Sequence, residues 1–371
     1  MDKAPGQRVR VRAAANSATG AAPRAALLGL LLALLVTQRV HAAEPPPLPA
    51  EPARLAAKGL LIAIAAAGER LVAVGDRGII VLSDDRGISW RQADHVPTQA
   101  LLTGVCFLDA QHGVAVGHDE VILTSADAGR TWTLAHFAPQ ALRPLLDVWC
   151  GTGGRVIAIG AYSAYFTSAD AGASWQEVKF VPAPPPRAAT SGARGAREAA
   201  AEDEGAAGGG YHLNRIVGAD ATRLYIAGEA GHLYASEDGG ASWQTLASPY
   251  EGSFFGVLPL QGEALLAFGL RGNLYRSADL GASWQKIATG TVATLNGAAR
   301  LPDGAVAIVG FSGVVLLSRD GGSTFTLLQQ ADHSGLSAAM AVADELLAAV
   351  GEDGARLIRV NAVPAGTGSS R

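Results

Sequence analysis

The chain reads as an all-β protein, a seven-bladed β-propeller of four-stranded antiparallel blades. Three observations predict this. A box of the form Ser-x-Asp-x-Gly-x-(Ser/Thr)-(Trp/Phe) occurs six times, beginning at Ser83, Ser125, Ser168, Ser236, Ser277 and Ser318. Successive serines lie 42, 43, 68, 41 and 41 residues apart, and all but one of these intervals match the length of a four-stranded blade. A glycine lies eight residues ahead of each of the six serines, and with the matching Gly351 these glycines (Gly75, Gly117, Gly160, Gly228, Gly269, Gly310, Gly351) count seven units.

Within a unit the same order recurs. The first runs LLIAIAA, turn, RLVAVG, turn, GIIVLS, Asp turn, SWRQA. Each run is short, rich in Val, Ile, Leu and Ala, and bounded by Gly or Asp, which reads as four consecutive strands. The seventh unit, LLAAVGEDGARLIRV, places Arg359 where serine is expected and ends before a fourth strand. Its outer edge needs a cover. Either Glu51 to Lys58 supplies a strand that clasps the ring, or the last blade is incomplete.

The flanks read differently. Arg8, Arg10, Arg12 and Arg24 precede the apolar run Ala25 to Val36, and Val40-His41-Ala42 follows. These are the three parts of a secretory signal, residues 1–42, with cleavage after Ala42. An uncleaved anchor is the alternative, although 12 apolar residues are short for a bilayer. The expected location is across the inner membrane, in the periplasm. Residues 43–58 follow as a Pro-rich spacer, extended rather than packed, and the propeller occupies 59–363. The 68-residue interval contains an insertion at 182–210 rich in Pro, Ala, Gly and mixed charge; with no apolar face it is expected to be a flexible loop. Residues 364–371 form a flexible tail.

Net charge is −4, and removing residues 1 to 43 leaves 23 Lys and Arg against 32 Asp and Glu. Such an acidic chain is a poor partner for nucleic acid. Cys106 and Cys150 lie on the first strands of neighbouring units, offset by one residue, so they stand on the facing sides of adjacent blades. A disulfide across that seam is geometrically open, but two separately buried thiols are the expectation.

The box solves a chain-reversal problem. Its Asp and Ser or Thr side chains accept backbone N–H groups, its Gly takes positive φ, and its aromatic ring packs between blades. Asp85, Asp127, Asp170, Asp238, Asp279 and Asp320 are therefore structural; each box offers one carboxylate, whereas calcium loops need several. The eight histidines show no ligand spacing with Cys or Asp, so neither metal nor cofactor is expected.

Function then falls to the opposite rim, which the turns between second and third strands share with the connections between blades. Those turns carry Asp76-Arg77, His118-Asp119, Ala161-Tyr162, Glu229-Ala230, Leu270-Arg271, Phe311-Ser312 and Glu352-Asp353. Near the start of the first strands, 22 residues before each serine position, come Leu61, Thr103, Leu146, Asn214, Phe255, Asn296 and Ser337. The candidate contact residues are Arg77 and Arg271, then Tyr162, Phe311, Asn214, Asn296 and His118. Arg, aromatic and amide groups of this kind suit a protein partner.

Boxes, G-x-x-G turns and seven units together resemble the Asp-box (BNR) propellers. More narrowly, VAVGDRGIIVLSDDRGISW (72–90) and AFGLRGNLYRSADLGASW (267–284) are similar to the photosystem II stability and assembly factor family and its relatives in bacteria without photosynthesis. The likeness covers roughly Gly59 to Val360. It implies an exported, non-catalytic, monomeric assembly factor or scaffold that holds a membrane-protein subunit or envelope complex, such as a transporter, through an arginine-bearing rim. His118-Asp119-Glu120 and Ala161-Tyr162-Ser163 depart from the pattern by losing the second glycine. The alternative is a sialidase-like glycoside hydrolase, since those enzymes also carry Asp boxes. Tyr250-Glu251 is the one dipeptide that fits their chemistry.

Overall fold

A computed structural model describes residues 46–185 and 210–361. The leader read at 1–42 lies outside these residues, as do most of the insertion (186–209) and the tail. Seven antiparallel sheets follow one another along the chain. In blade 1 the strands are Leu61–Ala67, Arg70–Gly75, Ile80–Ser83 and Arg91–Gln92, hydrogen-bonded in that order. Blades 2 to 6 repeat this, with first strands at Leu102–Phe107, Leu145–Cys150, Leu213–Gly218, Phe254–Pro259 and Leu295–Arg300. Blade 7 has, among the described residues, three strands, Leu336–Ala343, Leu346–Gly351 and Gly354–Arg359.

The second strand of each blade is flanked by two others and packed on both faces. Val156–Gly160 and Val306–Gly310, for example, are buried throughout, as their unbroken apolar sequence requires. The apolar cores lie between blades, not within them. One joins blades 1 and 2 through Val74, Leu82, Val105 and Trp132, and another joins 6 and 7 through Val309, Leu317, Leu336 and Leu347. A third joins blade 7 back to blade 1 through Leu61, Ala73, Val81, Ala338 and Val350. That last cluster closes the ring.

A bulge near the start of all seven first strands explains the recurrent glycine. Leu102 pairs with Gly117 but Gly104 pairs with Val116, which leaves Thr103 unpaired between them. The strand then comes so close that a Cβ on Gly117 would stand 2.2 Å from the Leu101 carbonyl oxygen; at Gly75 the distance to Leu60 O is 2.1 Å. Only glycine fits.

Several expectations are corrected by the packing. The two cysteines are joined, Cys106 to Cys150, across the seam between blades 2 and 3. Residues 47–58 are not a free spacer. Ala50 N–H donates to Val96 O at 2.9 Å, and Ala53 N–H donates to Gln92 Oε1 at 2.8 Å. Nor do residues 51–58 supply a strand: Ala56–Lys58 forms a single 3-10 turn that touches the third strand of blade 7 and the outer strands of blade 1. The clasp exists, but it is made by packing.

Register corrects two counts. The first hairpin of blade 1 is one residue shorter than the others, so its bulged residue is Ile62 rather than Leu61. In blade 7 the turn between second and third strands is one residue tighter, with Gly351 directly opposite Gly354. Ile358, not Arg359, therefore occupies the serine position; it pairs with Leu347 as Ser83 pairs with Leu71. At the mouth of the insertion, Ala183 bridges to Gln244 of blade 4, and Phe180 packs its ring tilted or edge-on against Tyr165, Tyr234 and Trp243. Residue 183, which the sequence assigns to the insertion, is thus packed against blade 4.

Candidate functional site

The box face is closed on itself. In the first box the Ser83 hydroxyl donates to Asp85 Oδ1 at 2.8 Å and accepts Gly87 N–H at 2.8 Å. Asp85 Oδ1 also accepts Ser89 N–H at 2.9 Å, and its Oδ2 accepts the Ser89 hydroxyl at 2.5 Å. The same contacts recur at Asp127, Asp170, Asp238, Asp279 and Asp320. The Ser89 hydroxyl, its backbone N–H and the Ser83 hydroxyl hold the Asp85 carboxyl down to about 2. Trp132 and Trp243 are buried, while Trp90, Trp175 and Trp284 are half-buried. Trp90, Trp132 and Trp175 each donate their indole N–H to the glycine carbonyl of their own box.

The other rim is built from tight turns between second and third strands. In blade 1, Ile79 N–H donates to Asp76 O at 3.0 Å around Arg77 and Gly78, which both have positive φ, 54° and 69°. Two left-handed central residues make this a type I′ turn, set within a three-residue loop between Gly75 and Ile79. Asp119-Glu120, Tyr162-Ser163, Ala230-Gly231, Arg271-Gly272 and Ser312-Gly313 hold the same positions. The chain connecting to the next blade passes beneath: a Cβ on Gly78, Gly231 or Gly272 would stand 1.9, 2.1 and 2.1 Å from the carbonyl oxygens of Thr98, Tyr250 and Thr291. This is why glycine ends the turn.

It also explains the two departures. In blades 2 and 3 the connections run differently. Ala138 N–H donates to Asp119 O, and Ser163 donates from both N–H and hydroxyl to Tyr211 O at 3.0 and 3.2 Å. Room is left for side chains. Glu120 turns inward, 3% exposed, and its carboxylate accepts Arg143 Nε–H at 2.7 Å with His136 Nε2 at 3.3 Å. Arg143 reaches on to Glu177 at 2.7 Å and lowers the Glu177 carboxyl below its ordinary value through that hydrogen bond. A lone Glu in place of Gly was the only sequence signal for this buried cluster.

The seven candidate residues fall in two groups. Arg77, Tyr162 and Arg271 stand at the first left-handed position of their turns, and His118 and Phe311 just before it. All five are exposed; the Arg77 side chain is 83% accessible, Tyr162 51% and Phe311 47%. They lie on five different blades and do not hydrogen-bond to one another. Asn214 and Asn296 are otherwise employed. As bulged residues of their first strands, they donate their side-chain amides to Phe254 O and Leu336 O of the following blade at 2.8 and 2.9 Å, and the Thr103 hydroxyl donates likewise to Leu145 O at 2.7 Å. These are inter-blade staples.

Two further clusters had no clear mark in the sequence. Tyr162 meets His212 edge to face at 5.0 Å, Tyr211 stacks on His232 at 3.9 Å, and His212 Nδ1 lies 3.4 Å from Glu229 Oε2. This joins the rims of blades 3 and 4. On the first strands of those blades, Asp147 is buried, 3.4 Å from Arg215 Nη1, and accepts Ile216 N–H at 2.9 Å. Burial pushes its carboxyl up, against the pull of Arg215. Tyr250 packs its ring on Phe254 and Tyr275. Among the described residues no three His, Cys, Asp or Glu side chains stand together as a metal site would require.

Solved structures share this architecture. The fold is similar to that of YCF48. A structure described as YCF48 bound to D1 peptide superposes with a TM-score of 0.61 at 16% identity, over 85% of this chain and 100% of that one. YCF48 from Cyanidioschyzon merolae gives 0.62 at 16% identity, over 82% and 96%. A GH74 xyloglucanase from Xanthomonas campestris gives 0.60 at 18% identity, over 82% of this chain but 52% of the enzyme. No protein-family description and no curated protein matches the chain. At these identities the likeness is one of propeller fold.

Proposed function

We infer that the chain is an exported, non-catalytic, monomeric propeller that holds a segment of a membrane-protein subunit against the rim opposite its boxes. The observation that carries this reading is the asymmetry of the two faces. On the box face the repeated carboxylates are consumed by their own turns. The other rim presents Arg77, Arg271, Tyr162, Phe311 and His118 to solvent on rigid type I′ turns. Arg271 joins no ion pair among the described residues, and Arg77 faces only its neighbour Asp76 at 3.6 Å. Because these groups stand on turns of defined conformation, binding there need not order the backbone as well.

Two observations support the wider assignment. The Cys106–Cys150 disulfide suits an oxidising compartment, in line with the leader-like N-terminal sequence. The solved YCF48 complex holds a D1 peptide, so a propeller of this shape takes a peptide ligand. Asn214 and Asn296 leave the contact set because their amides staple blades. Tyr162 remains in it, backed by His212.

The test is capture of envelope membrane proteins by tagged protein after crosslinking in cells. Arg77→Glu with Arg271→Glu is expected to leave folding intact and to weaken recovery of the partner; unchanged recovery overturns the assignment of this rim. The fold shared with the xyloglucanase favours one second reading, glycoside hydrolysis. Turnover of fluorogenic glycosides that disappears in Tyr250→Phe would establish it.

A further inference from the structure

Among the described residues the outer edge of blade 7 is unpaired, with a groove beside it. Val360 N–H donates to Glu345 O at 2.9 Å, which fixes the hydrogen-bonding parity of the last strand pair. Residues 354, 356 and 358 then bond inward to the second strand, while the N–H and C=O of Ala355, Leu357 and Arg359 point outward. Ala355 and Leu357 correspond by register to Ile80 and Leu82 of blade 1. There the outward groups serve the fourth strand: Ile80 O accepts Ala93 N–H at 2.9 Å, and Leu82 pairs with Arg91. In blade 7 the turn at Ala56–Lys58 covers only the Gly354 end, where Ala57 O sits against the glycine. Beyond it, Ala355, Leu357 and Arg359 have no backbone partner on that side among the described residues.

The groove along this edge has a volume of about 600 Å³. Its apolar walls are Leu55, Ile88 and Leu357, of which Leu55 and Ile88 are 73% and 76% exposed. Its charged lining is Arg54, Lys58, Arg91 and Arg356, with no carboxylate among the lining residues. Arg91 is drawn toward Asp84 and Asp94, and Arg356 is paired with Asp332. Arg54 and Lys58 are exposed and enter no ion pair among the described residues. A concentration of cations on an otherwise acidic chain selects an anionic ligand.

We propose that this edge is a second binding site, which takes an extended acidic peptide segment of a partner as the fourth strand of blade 7. The backbone of Ala355 and Leu357 supplies the ladder, Leu55, Ile88 and Leu357 take an apolar side chain, and Arg54 and Lys58 attract the acidic ones. The site is independent of the turn rim and of what binds there.

The probe is a fluorescein-labelled octapeptide alternating valine and glutamate, titrated by anisotropy against the full chain. Its controls are the same peptide with lysine for glutamate, and the same peptide methylated on alternate backbone nitrogens. The acidic peptide is expected to bind and to slow amide hydrogen exchange in 354–361; both controls are expected to fail. Arg54→Glu with Lys58→Glu should weaken the acidic peptide about tenfold, the effect of two exposed ion pairs. Leu357→Pro, which removes an outward N–H, should abolish binding. If that variant does not fold, the charge reversal decides. Equal binding of the lysine peptide, or protection elsewhere in the chain, overturns the proposal. So does binding that appears only after deletion of 362–371, which would make the chain's own tail the occupant, or a dimer that Leu357→Pro dissociates, which would make it a second copy.

Discussion

Replacing Asp127 with alanine tests whether the box carboxylate holds the hairpin or merely decorates it. Asp127 accepts the Ser125 hydroxyl at 3.0 Å, Thr131 N–H at 2.9 Å and the Thr131 hydroxyl at 2.7 Å, and its side chain is 30% exposed. Hydrogen bonds to a charged acceptor are worth ~1.5–3 kcal/mol each when shielded, and water recovers part of that at a partly exposed site. The loss comes to about 2–3 kcal/mol for the set, at or above the upper end of a helix-cap deletion. The same box seats Trp132, 1% exposed, whose indole N–H donates to Gly129 O at 2.9 Å, so local loosening reaches the seam with blade 1. Asp127→Asn keeps one acceptor oxygen and should lose about half as much. Urea unfolding followed by tryptophan fluorescence reads both variants, with an unchanged m-value showing that the transition is still the same one. An alanine variant within ~0.5 kcal/mol of the parent, the range of an ordinary surface change, would refute the reasoning.

Three other outcomes follow from the same geometry. Hydroxyl and backbone donors of Ser89, Ser174 and Thr324 hold Asp85, Asp170 and Asp320 at about 2, below the ordinary 3.8. Their stabilising effect is therefore complete above about pH 4 and is lost as pH falls toward 2; urea midpoints should drop over that window and drop less when all three are asparagine. Cys106→Ser with Cys150→Ser reopens a 44-residue separation and should cost about 2–4 kcal/mol, seen as a lower urea midpoint that matches the parent treated with reductant. Ala171 sits in its box at a φ of 61°, where the corresponding residues of boxes four and six are Gly239 and Gly321. Ala171→Gly should therefore raise stability by about 0.5 kcal/mol, the left-handed strain relieved less the extra freedom of glycine in the unfolded chain.

The repeat determined most of the architecture by itself. Box spacing, the glycine eight residues ahead and the apolar runs between them fix strand order and blade number because each is a local requirement. A hairpin must turn, a bulged strand must be met by a residue without Cβ, and a carboxylate must find its donors within five residues. The same local logic separates the two faces, since strands that alternate in direction send their turns to opposite rims. Arg77, Tyr162, Arg271, His118 and Phe311 could accordingly be placed on exposed turns from the sequence.

Whatever depended on a neighbouring blade was decided only by the tertiary structure. Asn214 and Asn296 look like free amides until the next blade supplies Phe254 O and Leu336 O. Glu120 looks like a lost glycine until Arg143, from the following connection, arrives beside it. Cys106 and Cys150 are joined because blades 2 and 3 bring their first strands together. Blade 7 closes by packing on blade 1, and among the described residues its outer edge is unpaired because Ala56–Lys58 turns instead of extending. Sequence periodicity records what a residue needs from its own strand and turn. Contacts across a seam join residues tens of positions apart, and a repeat that is the same in every blade carries no information about which seam will differ.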